Sequence, residues 1–181
     1  MSTTDQQLLK QLLKGDEEAF AALYRVQHGA ICRFALHMTG RMELAEDVTQ
    51  ETFLALALHG KRYDASRGSV MAFLYGIARN LVLKRLEKER PEETEVPWEE
   101  FAGDEDVLGD LTRRESIDEV RRAVLSLPQV YREAVVLCDL GDASYEDAAL
   151  ALGCPVGTVR SRLNRARALL AKKLTLTSLV L

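Results

Sequence analysis

Between Val156 and Lys173 the chain carries six bases, Arg160, Arg162, Arg165, Arg167, Lys172 and Lys173, and no acid. On the same stretch Val156, Val159, Leu163, Ala166 and Leu170 recur at spacings of three and four, which makes one apolar stripe of an amphipathic helix. An arginine fork can pair bidentately with guanine, and Ser161 or Asn164 can reach base edges or phosphate. The plain alternative is an arginine-rich surface helix with no ligand. Six unopposed bases directly after a glycine turn favour duplex DNA.

A basic helix reads a groove only if a scaffold presents it. Ser144-Tyr145-Glu146-Asp147 is a capping-box-like start, a hydroxyl followed three residues on by an acid. Ala148, Ala149 and Leu152 give that short helix its apolar face, and Gly153 permits the left-handed turn that ends it. Cys154 then falls at an N-cap-like position and Pro155 at the first helical one. The pattern is a helix-turn-helix whose second member can enter a major groove.

The rest of the chain also reads as helix. Leu8, Leu9, Leu12 and Leu13 recur at helical spacing up to Gly15. Asp16 is a candidate N-cap for a helix that carries Phe20, Leu23, Tyr24, Ile31, Phe34 and Met38 and stops at Gly40. A third helix is predicted over about 42–58 with Leu44, Val48, Phe53 and Leu56 inward, then a loop over 60–69 and a helix over about 70–89. Helices over 113–125 and 128–140 precede the helix-turn-helix. No segment alternates, so the expected class is all-α: two small helical domains, 1–90 and 113–175, joined by an acidic linker at 91–112, with an apolar tail at 176–181.

Composition narrows the functional classes. The 181 residues carry 28 acids and 24 bases, a net charge of −4, which taken whole counts against a nucleic-acid partner. Residues 91–110, however, hold nine acids and no base, together with two of the four prolines. Like charges extend such a segment, so it reads as a tether, although Trp98 and Phe101 hint at docking. Without those nine acids, 24 bases face 19 acids. Cys32, Cys138 and Cys154 are odd in number and widely spaced, which fits a reduced cytoplasm rather than a disulfide framework. No run is long enough to span a membrane, and the polar start does not read as a signal peptide.

The segment Cys154-Pro-Val-Gly-Thr-Val-Arg-Ser-Arg-Leu-Asn-Arg-Ala-Arg, preceded by Leu127-Pro-Gln-Val-Tyr-Arg-Glu-Ala, resembles region 4 of bacterial sigma-70 family factors of the extracytoplasmic-function (ECF) type. Ala45-Glu-Asp-Val-Thr-Gln-Glu-Thr-Phe and Gly68-Ser-Val-Met-Ala-Phe-Leu-Tyr-Gly-Ile-Ala-Arg-Asn resemble region 2 of the same family. The two matches lie in the expected order over about 16–90 and 113–173. The resemblance implies a subunit that directs core RNA polymerase to promoters, binding the clamp of its largest subunit and the flap of its second. It further implies an anti-sigma partner, no cofactor and no catalysis. Asp47, Gln50 and Glu51 match the face that grips the clamp helices. Tyr63, Arg67, Ser69, Arg79, Asn80 and Arg85 fall in the element that captures unpaired bases of the −10 element. Stacking and exposed base edges suit an aromatic and an amide there, and the arginines would neutralise phosphate. Thr158, Arg160, Ser161, Asn164, Arg165 and Arg167 fall on or beside the helix that reads the −35 element.

Some positions depart from the family pattern. Phe73 stands for a usual tryptophan and is expected in the core. Lys84 stands where an aspartate is common, and Asn164 replaces a residue more often apolar. A metal reading of His28, Cys32 and His37 fails on angle: His28 and Cys32 share a helix face, and His37 lies roughly opposite. Redox sensing by Cys138 and Cys154 is outweighed by the commoner fate of lone cysteines as small buried hydrophobes. No nucleophile–base set or phosphate loop points to an enzyme. Two rivals remain: a repressor or activator acting without polymerase, which leaves the N-terminal motif unexplained, and a sigma-like decoy, against which the basic helix and Asn80 speak.

Overall fold

The computed structural model describes residues 4–88 and 107–178, with side chains for 4–88 and 116–175. Trp98, Phe101 and most of the acidic linker lie outside the described residues.

Every regular element among the described residues is helical. Thr4 and Gln7 close a capping box over α1 (Asp5–Leu12), with the Thr4 N–H donating to Gln7 Oε1 at 2.9 Å. Asp16 caps α2 (Glu17–Thr39) by accepting from Ala19 N at 3.1 Å, as its type and place predicted. Gly40 ends α2 at φ 72°, a left-handed conformation that glycine adopts without strain. An added Cβ there would also meet Leu125 Cδ1 at 2.9 Å. A hairpin turn leads into α3 (Met42–His59), then a 3₁₀ turn at Gly60–Arg62 and α4 (Val70–Lys88). The remaining helices are α5 (Val107–Leu125), α6 (Gln129–Cys138), α7 (Tyr145–Leu152) and α8 (Val156–Ser178).

Boundaries differ from the sequence-based ones in three places. Helix α5 starts at Val107, before the expected Arg113, so the last residues of the predicted linker are helical. Acidic residues favour a helix N-terminus, an effect that counting them only as mutual repulsion misses. Helix α6 is shorter at both ends than the predicted 128–140 span: Pro128 stands before it as a non-helical N-cap (ψ 140°), and beyond its end Gly141 and the positive φ of Asp142 (53°) turn the chain. Helix α8 starts at Val156, as expected, but runs past Lys173 into the predicted tail.

The helices share one continuous core. Leu44, Val48, Phe53 and Leu56 are buried on α3 as expected. The far end of α2 packs on α5 and α6, and α4 packs on α7, so the two halves touch along a broad front. Arg132 fastens that front. Its Nη1 donates to Met38 O at 2.7 Å, and its Nη2 donates to Leu125 O and to Leu127 O. Met38 and Leu125 lie in the last turns of α2 and α5, where carbonyls have no intrahelical partner.

His37 lies beside this front, facing Arg121 from α5 and Arg33 from its own helix. Burial first, then those two cations, pushes its imidazole down to about 4. The folded state therefore keeps the ring neutral, and the unfolded chain protonates first as pH falls from about 6.5. Stability is expected to be unaffected by this ring above pH 7 and to drop by about 2 kcal/mol at pH 5. Urea unfolding of wild type and His37→Gln at both pH values checks this; an identical pH dependence in the two proteins would refute it.

Candidate nucleic-acid interface

Helix α8 exists as an amphipathic element because Val159, Leu163 and Ala166 are sealed beneath it. Ser144 Oγ accepts from Asp147 N at 3.0 Å and starts α7, while Gly153, at φ 63°, ends it. That turn sends α8 off with its polar face outward. Arg160, Ser161, Asn164, Arg165 and Arg167 are all exposed there, and Thr158 is half-buried. Their surroundings separate them. The Arg160 guanidinium lies over the Tyr145 ring, 5.7 Å from its centroid, and Ser161 Oγ donates to Thr158 O at 3.0 Å. Arg167 forks onto Asp139, with Nε to Oδ2 at 2.9 Å and Nη2 to Oδ1 at 2.6 Å, tying α8 to α6. This hydrogen-bonded pairing raises the Arg167 pKa further. Arg167 thus has a structural partner, whereas Asn164 and Arg165 present their polar groups to solvent.

The second candidate surface surrounds the loop before α4. Tyr63 is half-buried: its hydroxyl donates to Gly68 O at 2.9 Å and its ring meets Phe73 edge-on, with centroids 5.8 Å apart. Phe73 is likewise half-buried and forms a wall, not the core position expected of it. Ser69 Oγ accepts from Ala72 N at 3.0 Å and so steadies the start of α4. Together Tyr63, Arg67, Phe73, Arg79 and Asn80 line a cleft of about 380 Å³. Its opposite wall is α7, from Leu150 to Gly153.

Asp47, Gln50 and Glu51 are exposed on one face of α3. Glu51 forms an ion pair with Arg85 of α4. A residue of the candidate clamp face is therefore linked to one of the candidate −10 residues on α4.

Three residues that the sequence did not mark as site residues prove central to how these surfaces sit. Arg132 binds the helix ends described above. Glu133 of α6 is fully buried, with Arg79 Nε 3.1 Å from its Oε1 and Gln129 Nε2 donating to it at 3.2 Å. Asp147 was expected to reach back to its own cap. Its carboxylate instead accepts from Ser69 N at 3.3 Å and from Ser69 Oγ at 2.9 Å. A signal did exist for Glu133: it falls at helical spacing between Val130 and Leu137, an acid within an otherwise apolar stripe.

Residues 23–92 match the family model of sigma-70 region 2, and residues 117–170 match that of sigma-70 region 4. The ECF RNA polymerase sigma factor SigW of Bacillus subtilis is 31% identical over 180 residues, covering 92% of this chain and 94% of that protein. The chain belongs to the ECF sigma factors of the sigma-70 family. SigM of Mycobacterium tuberculosis is 36% identical over 175 residues, 94% of this chain and 85% of its own. Among solved structures, CnrH in complex with the cytosolic domain of CnrY superposes with a TM-score of 0.70 at 25% identity. That match covers 94% of this sigma factor and 97% of CnrH. RpoE of Bartonella quintana, solved with the anti-sigma factor NepR, shares the fold at a TM-score of 0.69 and 23% identity, over 86% of this chain and 96% of its own.

In this sigma factor, then, α2 to α4 carry region 2, and α5 to α8 carry region 4 up to residue 170. Cys138 lies in region 4, where burial, and then Asp139, push its thiol up to about 11, so the reactive thiolate is disfavoured. Among the described residues no cluster of metal-ligating side chains occurs, and no helix is long and apolar enough to cross a membrane.

Proposed function

We propose that this sigma factor divides promoter recognition between its two halves in the following way. Asp47, Gln50 and Glu51 dock on the clamp of the polymerase largest subunit, and region 4 rests on the flap of the second. Arg160, Ser161, Asn164 and Arg165 read the −35 duplex, with Thr158 and Arg167 at the margin of that surface. The cleft between Tyr63, Arg67, Ser69, Arg79 and Asn80 holds unpaired bases of the −10 strand, with Arg85 beside it. The chain works in the cytoplasm, needs no cofactor and catalyses nothing itself. The observation that carries this reading is the exposed polar face of α8, mounted on a capped helix-turn-helix within a chain that matches both sigma regions.

An anti-sigma protein is proposed as its regulator. CnrH, which superposes with this chain over nearly its full length, was solved with the cytosolic domain of CnrY, and RpoE of Bartonella quintana, which shares the fold, was solved with the anti-sigma factor NepR.

In vitro transcription with core polymerase tests the whole reading. Templates with a randomised upstream region, read by transcript sequencing, should give starts that share two separated motifs. The absence of promoter-dependent initiation together with the absence of core binding would sink it. Replacing Gln50 and Glu51 together by Ala should weaken competition for core polymerase at least tenfold. Folding should survive, since the Glu51–Arg85 pair is half exposed and such pairs contribute little. Undiminished core affinity would refute the clamp assignment.

A further inference from the structure

The outer face of α5 carries apolar side chains that nothing among the described residues covers. Ile117 is 40% exposed and Val120 39%, and Leu140, just beyond α6, is 38% exposed. These three line one groove of about 360 Å³, together with Val124 and, from α2, His37. Ile117, Val120 and Val124 fall at spacings of three and four, so they form one stripe of α5. A concavity of this size with apolar walls is large enough to take a planar side chain, and an apolar patch with a polar rim marks a docking surface.

The rim is cationic. Arg121 of α5 and Arg33 of α2 both act on His37 at the edge of the groove. Arg121 pairs with Asp118 at 3.2 Å, whereas Arg33 is exposed and forms no ion pair among the described residues. A fitting occupant brings apolar groups flanked by acids. The chain holds such a segment in Val96-Pro97-Trp98-Glu99-Glu100-Phe101, inside the stretch 91–110 that has nine acids and no base. The apolar tail at 176–181 has no acidic side chain and would leave the rim unmatched.

Chain length permits the contact. Phe101 precedes Val107, the first residue of α5, by six positions and can lie up to about 20 Å from it. Ten residues of helix carry the chain about 15 Å from Val107 to Ile117. Phe101 can therefore double back to Ile117. Trp98, nine positions before Val107, can lie up to about 30 Å away, and Val120 is about 20 Å along the helix.

We propose that Trp98 and Phe101 fold back onto α5 and dock in the groove of Ile117, Val120 and Leu140, with Glu99 and Glu100 against Arg33 and Arg121. The acidic stretch is then a tether anchored part-way along. From Lys88 to Trp98 ten positions reach at most about 35 Å, against about 65 Å for the nineteen from Lys88 to Val107. Docking shortens the tether, and release of two aromatic side chains lengthens it.

Trp98 is the one tryptophan of the chain, so its fluorescence reports this contact alone. In the folded wild type its emission maximum should lie to the blue of that in the urea-unfolded chain, and acrylamide should quench it at least threefold less. Ile117→Glu with Val120→Glu places two acids in the groove and should return both readings to near the unfolded values. Both positions are exposed and glutamate suits a helix, so helix content by circular dichroism should match wild type. Phe101→Asp should also expose Trp98 without altering α5, which keeps the test decisive should the groove variant fail to fold. A folded wild type whose Trp98 is as quenchable as in urea would overturn the proposal. So would a folded groove variant, or a Phe101→Asp protein, in which Trp98 stays fully protected. Protection that fades on hundredfold dilution would assign the groove to a second copy of the chain and overturn it likewise.

Discussion

Leu163→Ala is expected to cost the protein about 2–5 kcal/mol and to abolish −35 duplex binding with it. Leu163 is 1% exposed, pinned beneath α8 between Val159 and Ala166. Truncation leaves a cavity under the one helix whose outer face carries the proposed base-reading residues. The informative comparison is two positions along. Arg165 lies on the opposite face and is exposed. Arg165→Ala should leave the urea midpoint within about 0.5 kcal/mol of wild type, as surface substitutions usually do. Its −35 affinity should still fall about 5- to 150-fold, the equivalent of 1–3 kcal/mol for a lost bidentate base contact. Urea unfolding and fluorescence anisotropy on a −35 duplex, run on both variants, separate the two effects. A uniform loss across all duplex sequences would make Arg165 a phosphate contact. A stable Leu163→Ala protein that still binds would mean that α8 is not held from below.

The same two residues show what was legible in the sequence. A 3.6-residue period states which face of a helix is buried, so Leu163 and Arg165 could be assigned to opposite faces with no partner in view. Caps are equally local: Asp16, Ser144, Gly40 and Gly153 act as their types and places predicted. What could not be read was contact between segments far apart in the chain. The acid of Asp147 looked like the second half of a capping box and turned out to bind Ser69, 78 positions away. Arg79 and Arg85 looked like phosphate neutralisers, and each has an acid from another helix. Such pairings depend on how helices pack, which periodicity does not encode. The charge total had the same limitation: it summed a tether with two mildly basic halves, and only the partition along the chain made the basic helix visible.

Phe53→Ala should remove about 3–5 kcal/mol of stability, the range for deleting a buried phenylalanine, from a fold whose total is on the order of 5–15 kcal/mol. Phe53 is 2% exposed. It receives Tyr24 at a centroid distance of 4.7 Å and Phe20 at 6.4 Å, both edge-on, so its loss also removes aromatic geometry worth more than area alone. These rings join α2 to α3, the helix that carries Gln50 and Glu51, so the proposed clamp face is only as rigid as this packing. Phe53→Leu, which restores most of the volume, should recover most of the stability and the core affinity together. Denaturant unfolding and core competition, measured in parallel on both variants, give the test. If Phe53→Ala lost core affinity at full stability, the aromatic cluster would be contacting polymerase itself. If it lost stability while the folded fraction bound core as tightly as wild type, the clamp face would not depend on α2–α3 packing.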